Sequence, residues 1–256
     1  MIKEKEIQSV VESNVETLFG LEFVKSEFSL GNFRLDSICF DNDTNSFVII
    51  EYKKGSSYSV IDQGYSYLSL MLNNKSDFIL EYNETTNKTL KRGDVDWSQS
   101  RIIFVSPSFN TYQKNSVNFK DVPFELWEIK RFSNGTIGLD QHISSSDESI
   151  EMVKKIKNSV IKKVGKEVKV YTEDECFKNK DQVIRDLYHQ LEGKVNGWDG
   201  YSVDFHKNKV RFKNNKKIKI WITVQKQCLH IDLSSRVDFS GNVKSVKKKF
   251  VLDDPK

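Results

Sequence analysis

Apolar positions along the chain fall into short runs and helical stripes. The sharpest run is Phe47-Val48-Ile49-Ile50, which ends abruptly in Glu51-Tyr52-Lys53-Lys54-Gly55. A β-branched run this short predicts a strand buried on both faces. Upstream, Ile7, Val10, Val11, Val15 and Leu18 share one stripe of a helix over residues 4–19, which Gly20 stops. Glu22–Leu30 and Phe33–Asp41 read as two strands joined at Gly31-Asn32, and Asp41–Asn45 turns the chain into the Phe47 strand. After Gly55 the serines Ser56, Ser57 and Ser59 suit a helix start, and Ile61, Tyr65, Leu68 and Leu72 predict a helix over 60–73. Residues 75–100 carry no clear period and read as a helix or strand followed by a polar loop. Arg101–Ser106 is another buried strand, a helix follows over 108–118, and Pro123–Phe132 is a further strand.

The second half reads differently. Ser144–Ser149 marks a hinge or helix start, and a lysine-rich helix over 150–164 follows. Val168–Tyr171 predicts a short strand. Thr172-Glu173-Asp174-Glu175 fits a capping box opening a helix that carries Val183, Leu187 and Leu191 and closes at Gly193. Strands over 201–206, 209–212, 217–224 and 227–233 complete the pattern. The chain ends at Pro255-Lys256 with no clear closing element, as a truncated domain would. The expected organisation is therefore a domain over 1–143, a linking helix over 144–166 and a small basic α+β domain over 167–256.

Charge sharpens this division. Residues 1–150 carry 15 Lys and Arg against 22 Asp and Glu, a net of −7, whereas 151–256 carry 25 against 14, a net of +11. A basic half raises the expectation of a polyanion partner, although a lysine-rich solvated surface accounts for it equally well. No run of 18 apolar residues exists, so neither a membrane span nor a secretory signal is expected. The odd, scattered cysteines Cys39, Cys176 and Cys228 fit a reducing cytoplasm and indicate no structural zinc.

The end of the Phe47 strand carries the candidate chemistry. Charges at the end of a buried strand are costly unless paired or holding a metal. Alternation puts Glu51 and Lys53 on one face and points Lys54 to the other. Asp36 lies fifteen residues before Glu51, a hairpin's length, so it can stand beside Glu51 on the neighbouring strand. Two carboxylates and a lysine at a sheet edge make a divalent-metal site with a cation beside it. An ordinary strand-end ion pair between Glu51 and Lys53 is the competing reading.

The order helix, hairpin, strand ending in Glu51-x-Lys53, helix, strand resembles the PD-(D/E)xK nuclease superfamily over about the first 130 residues. Glu16 in Glu16-Thr17-Leu18 and the Gln63-x-x-x-Tyr67 pair look like the flanking motifs of its RecB-like branch. Leu35, rather than Pro, precedes Asp36, a position where members vary. Ile50–Lys54, Val60–Leu68 and Glu125–Glu128 further resemble a bacterial family that joins this core to a small C-terminal domain. Some of its members are labelled "predicted transport protein", a label that nothing in the sequence supports.

The resemblance implies an α/β fold: a restriction-endonuclease-like core, with a mixed central sheet flanked by helices, plus a small C-terminal α+β domain. It implies a metal-dependent nuclease hydrolysing phosphodiester bonds in DNA, in genome defence or repair. Asp36 and Glu51, with Glu16 from the first helix, would hold Mg²⁺ or Mn²⁺. Lys53 would stabilise the transition state or orient the attacking water, which Gln63 would help position. Tyr67 and Lys54 would touch nucleic acid. The basic C-terminal region lacks a helix-turn-helix, zinc or RNP-like signature, though Trp198, Tyr201, Phe212 and Trp221 interleave with its lysines. The alternative is a catalytically inactive nuclease fold that binds nucleic acid or serves as an adaptor. RNA as substrate and a homodimer both stay open.

Overall fold

Ser46–Tyr52 forms strand β3, and all seven of its residues are buried. A strand covered on both faces needs a neighbour on each edge and a layer above and below. The computed structural model describes residues 4–53, 59–119, 121–142, 146, 159–197, 201–214, 217–233 and 249–252. The chain divides into two compact units, Met1–Val170 and Tyr171–Lys256.

In the first unit, β3 lies inside a six-stranded sheet in sequence order. β1 (Glu22–Leu30), β2 (Phe33–Asp41) and β3 run antiparallel; β4 (Arg101–Ser106) and β5 (Phe124–Arg131) continue parallel to β3; β6 (Ile137–His142) closes antiparallel to β5. This is the expected mixed α/β sheet flanked by helices. Alternation along β3 sorts the two cores. Phe47 and Ile49 face one layer with α3 (Val60–Asn73) and α4 (Lys75–Thr86), while Val48, Ile50 and Tyr52 face α1 (Glu4–Ser13).

Several expected elements take a different form. The single helix over 4–19 breaks at Asn14, whose φ of −131° and ψ of 16° leave the helical region, and a separate α2 (Val15–Phe19) follows. Gly20 then ends it in the left-handed conformation, at φ 70°. Residues 75–86 are helical although they bury only Phe78 and Tyr82. The helix expected over 108–118 is the short α5 (Thr111–Ser116). The strand β6 was not expected, and its edge position, with no fully buried residue, explains why.

The start of the proposed linker, residues 147–158, lies outside the described residues. Its described part, α6 (Ser159–Glu167), belongs to the first unit. Val164 is fully buried in the α3-side core, and Lys75 pairs with Glu167 at 2.6 Å. No strand forms at 168–170, where Lys169 N–H instead donates to the Ser98 carbonyl. The division between the two compact units falls after Val170.

The second unit is the expected small α+β domain. The Thr172–Glu175 capping box opens only a one-turn helix, α7 (Glu173–Cys176), and α8 (Gln182–Val195) starts afresh after it. Five antiparallel strands follow in the order β11-β10-β9-β8-β7: β7 (Tyr201–His206), β8 (Lys209–Asn214), β9 (Lys217–Val224), β10 (Leu229–Leu233) and β11 (Lys249–Leu252). Val210, Phe212, Ile222 and Leu229 cover α8 through Ile184 and Tyr188. Phe212 is part of this core, and Trp198 lies outside the described residues. Among the described residues no helix is long and apolar enough to cross a membrane.

Gly64 sets how closely α3 approaches the sheet. A Cβ built there would stand 2.5 Å from the ring of Phe124, which Tyr65 holds edge-on at 5.0 Å. The next residue back, Gln63, reaches the candidate site. Gly64→Ala should therefore cost about 1–3 kcal/mol by overpacking, more than the roughly 1 kcal/mol that helix propensity returns. A denaturant titration checks this: a lower midpoint is expected, and an unchanged or raised one contradicts the close approach.

Candidate active site

The β2–β3 register carries the site. Ser37 pairs with Ile50, so the next residues outward, Asp36 and Glu51, stand opposite each other at the end of the ladder. Beyond that point β3 still has a partner in β4, but its β2 edge is open. The Tyr52 N–H, left without a strand partner there, donates to Asp36 Oδ2 at 3.0 Å. A backbone amide thus holds one carboxylate against the other.

Glu51 is 5% exposed. Its Oε1 accepts from Lys53 Nζ at 3.1 Å and from Gln63 Nε2 at 2.7 Å. Its Oε2 is buried and has no hydrogen-bond partner. Gln63 Nε2 also lies 2.9 Å from the Tyr67 hydroxyl, so one turn of α3 links Tyr67, Gln63 and Glu51. The structure therefore brings together Asp36, Glu51, Lys53, Gln63 and Tyr67. Lys54 lies outside the described residues.

Electrostatics follow from this crowding. Burial, then the charge of Asp36, pushes Glu51 up to about 7, against the pull of Lys53 and Gln63. Burial also raises Asp36, helped by the charge of Glu4 and opposed by the Tyr52 amide, Lys53 and a hydrogen bond that a protonated Glu51 would donate to it. Two adjoining carboxylates resist simultaneous ionisation, so the pair retains a proton that a cation would displace. Burial, then the Glu51 charge, raises the Tyr67 hydroxyl as well, keeping it a donor.

Glu16 does not join the cluster. It is exposed, lines a groove with Glu12, Gly20, Phe23 and Asn42, and among the described residues has no side-chain bond to Asp36 or Glu51. The break at Asn14 is the reason: the first half of α1, rather than its continuation, overlies Asp36. Gln8 Nε2 lies 3.2 Å from the Asp36 carbonyl and 2.9 Å from Glu12 Oε1. Glu12 in turn accepts from Ser37 Oγ at 2.6 Å, and Ser37 bonds the Tyr52 hydroxyl at 3.0 Å. This network supports Asp36 and Tyr52 from the α1 side of the sheet. The i, i+4 series Glu4, Gln8, Glu12 was its visible signal; nothing in the pattern said which acid of that stripe met the strand.

The donor set suits a hard divalent cation. Asp36 and Glu51 supply adjoining carboxylate oxygens, one of them buried and unpartnered, and Mg²⁺ is held by one or two carboxylates with waters retained. Among the described residues no third His, Cys, Asp or Glu converges on them.

The raised value of Glu51 has a consequence for stability. Its folded value of about 7 exceeds the ordinary 4.5, so the folded state binds the extra proton. Stability is fully present below about 4.5 and is lost as pH rises through about 7, by roughly 3 kcal/mol. Glu51→Gln removes the charge while keeping an acceptor for Lys53 and Gln63. Melting curves from pH 5 to pH 8 should show the variant more stable than the parent at pH 8 and similar at pH 5. Equal pH dependence in both would contradict the shift.

No family model matches the chain. Among solved structures it is similar to EndoMS in complex with double-stranded DNA (18% identity, TM-score 0.27, 49% of this chain and 44% of that one). It is also similar to a repair endonuclease from Pyrococcus abyssi (19%, TM-score 0.25, 45% and 42%) and to Pyrococcus furiosus SfsA in complex with Ca²⁺ (13%, TM-score 0.28, 55% and 62%). The chain spans less than half the length of the first two. A Haemophilus influenzae protein described as uncharacterised is 43% identical over 234 residues, covering 86% of this chain and 77% of its own length. The chain belongs to the family of that Haemophilus influenzae protein.

Proposed function

We propose that the protein is a metal-dependent nuclease that hydrolyses phosphodiester bonds in DNA. The observation that carries this reading is the buried, unpartnered Glu51 Oε2 beside Asp36, with Lys53 and Gln63 on the other Glu51 oxygen. Buried carboxylate oxygens are as a rule hydrogen-bonded, so one left over beside a second carboxylate favours a cation-binding role over a plain ion pair.

Asp36 and Glu51 are the residues that would hold Mg²⁺ or Mn²⁺. When bound, the cation supplies Lewis-acid charge that activates water and offsets charge building on the phosphate. The chain's own residues do the rest. Tyr52 N–H fixes the Asp36 carboxylate. Gln63 and Lys53 fix Glu51 from one side, so its second oxygen keeps one direction. The Lys53 ammonium, 13% exposed and 3.1 Å from Glu51, would offset negative charge developing on an attacked phosphate. The Tyr67 hydroxyl accepts from Gln63 and keeps its own proton to donate to a phosphate oxygen.

A second reading, binding without cleavage, draws on the net +11 of residues 151–256. One experiment separates the two. Plasmid DNA, linear DNA and labelled RNA are incubated side by side with Mg²⁺, Mn²⁺ or EDTA. DNA cleavage is expected with metal, abolished by Asp36→Asn and Glu51→Gln. Lys53→Ala should lower the rate about 10²–10³-fold, as loss of one electrostatic donor does. Glu16→Gln should cleave like the parent. Cleavage undiminished in Glu51→Gln would refute the site, and salt-sensitive binding without products would favour the second reading.

A further inference from the structure

The β1–β2 ribbon changes face beside the site. On β1, Ser26 meets Gln8 on the α1 side, yet Phe28, two residues on, packs edge-on against Phe78 of α4 at 5.4 Å on the opposite side. On β2, Ser37 bonds Glu12 on the α1 side, yet Leu35 is fully buried in the α3-side core. Residues two apart on a regular strand share a face, so both strands twist over between these positions. Glu27 lies there, bracketed by the pairs Ser26–Ser37 and Phe28–Leu35, at φ 50°. A non-glycine residue in the left-handed region inside a strand is strained and persists where its surroundings hold it.

The twist decides what the hairpin tip presents. Leu30 pairs with Phe33, and Leu30 packs into the α3-side core that Tyr67 also lines. Cross-strand partners share a face, so Phe33 projects on the side of Glu51, Gln63 and Tyr67. Without the twist, Phe33 would point to the α1 side. The ring is 49% exposed, and Arg34 beside it is 64% exposed with only a 4.0 Å approach to Glu27. Phe33 stands three residues from Asp36, about 10 Å along the strand, one to three nucleotides away on a bound chain.

We propose that the β1–β2 hairpin tip is the substrate-selecting element: Phe33 stacks on a base flanking the scissile phosphate, and Arg34 takes an adjacent phosphate. An exposed aromatic ring can stack only on a base whose own face is uncovered. The preferred substrate is therefore a strand with an unstacked base next to the cut, as in a single strand, flap or loop, rather than an intact duplex. This rests on the nuclease reading above and adds its substrate class.

The test uses the full chain carrying Glu51→Gln, with a short DNA single strand containing 2-aminopurine and its blunt duplex as probes. The single strand should bind more tightly than the duplex and its fluorescence should be quenched. Adding Phe33→Ala should weaken binding about tenfold or more and abolish the quench, while Phe33→Trp keeps both. Adding Arg34→Ala should weaken binding and lower the salt-dependence slope by about one. Binding and quenching unchanged by Phe33→Ala, or equal affinity for the duplex, overturn the assignment. If the parent cuts DNA while Phe33→Ala behaves like its background, only the hairpin assignment falls. If the parent neither binds nor cuts, the nuclease reading falls with it.

Discussion

The site depends on two carboxylates held together at the end of a buried strand. Left alone, Asp36 and Glu51 would be driven apart by charge and by the cost of leaving water. They stay together because each is held by something rigid. The Tyr52 amide grips Asp36 where β2 and β3 stop pairing, while Gln63 and Lys53 grip one oxygen of Glu51. The second oxygen is left buried and unpartnered. Such an arrangement is unfavourable on its own, and on the proposed reading a bound cation would offset its cost.

The surrounding architecture serves that pair. β3 must be buried on both faces to hold Glu51 out of water, so it needs α1 below and α3 above. Gly64 lets α3 come near enough for Gln63 to reach Glu51. On the other face, Gln8, Glu12, Ser37 and Tyr52 form a polar chain under the Asp36 backbone, so the carboxylate is braced from both sides of the sheet. The strained turn-over at Glu27 then brings the hairpin tip round to the open side of the same site. Helix, hairpin, strand and helix thus meet at one point for separate physical reasons.

Much of this was readable in the residues themselves. Apolar runs and helical periods located β1 to β5 and α3, alternation put Glu51 and Lys53 on one face, and the fifteen-residue spacing put Asp36 beside Glu51. What could not be read depended on three-dimensional context. Helix α4 carries little apolar pattern, because only Phe78 and Tyr82 reach the core. The edge strand β6 has no buried face to impose alternation. Glu16 was chosen from its resemblance to a flanking motif, but Glu12, four residues earlier, is the acid that meets the strand through Ser37. The break at Asn14 decided that choice, and no residue before it announces it. The twist at Glu27 is likewise invisible, since a glutamate in the left-handed region obeys no local preference.

The central claim is that Asp36 and Glu51 share a proton that a divalent cation replaces. Calorimetric titration of Mn²⁺ into the protein, in two buffers of different ionisation enthalpy, measures the protons released on binding. At pH 6 the account predicts release of up to about one proton, falling toward none above pH 8, with binding lost in Asp36→Asn and in Glu51→Gln. Binding that releases no proton at pH 6, or that survives both substitutions, would contradict it.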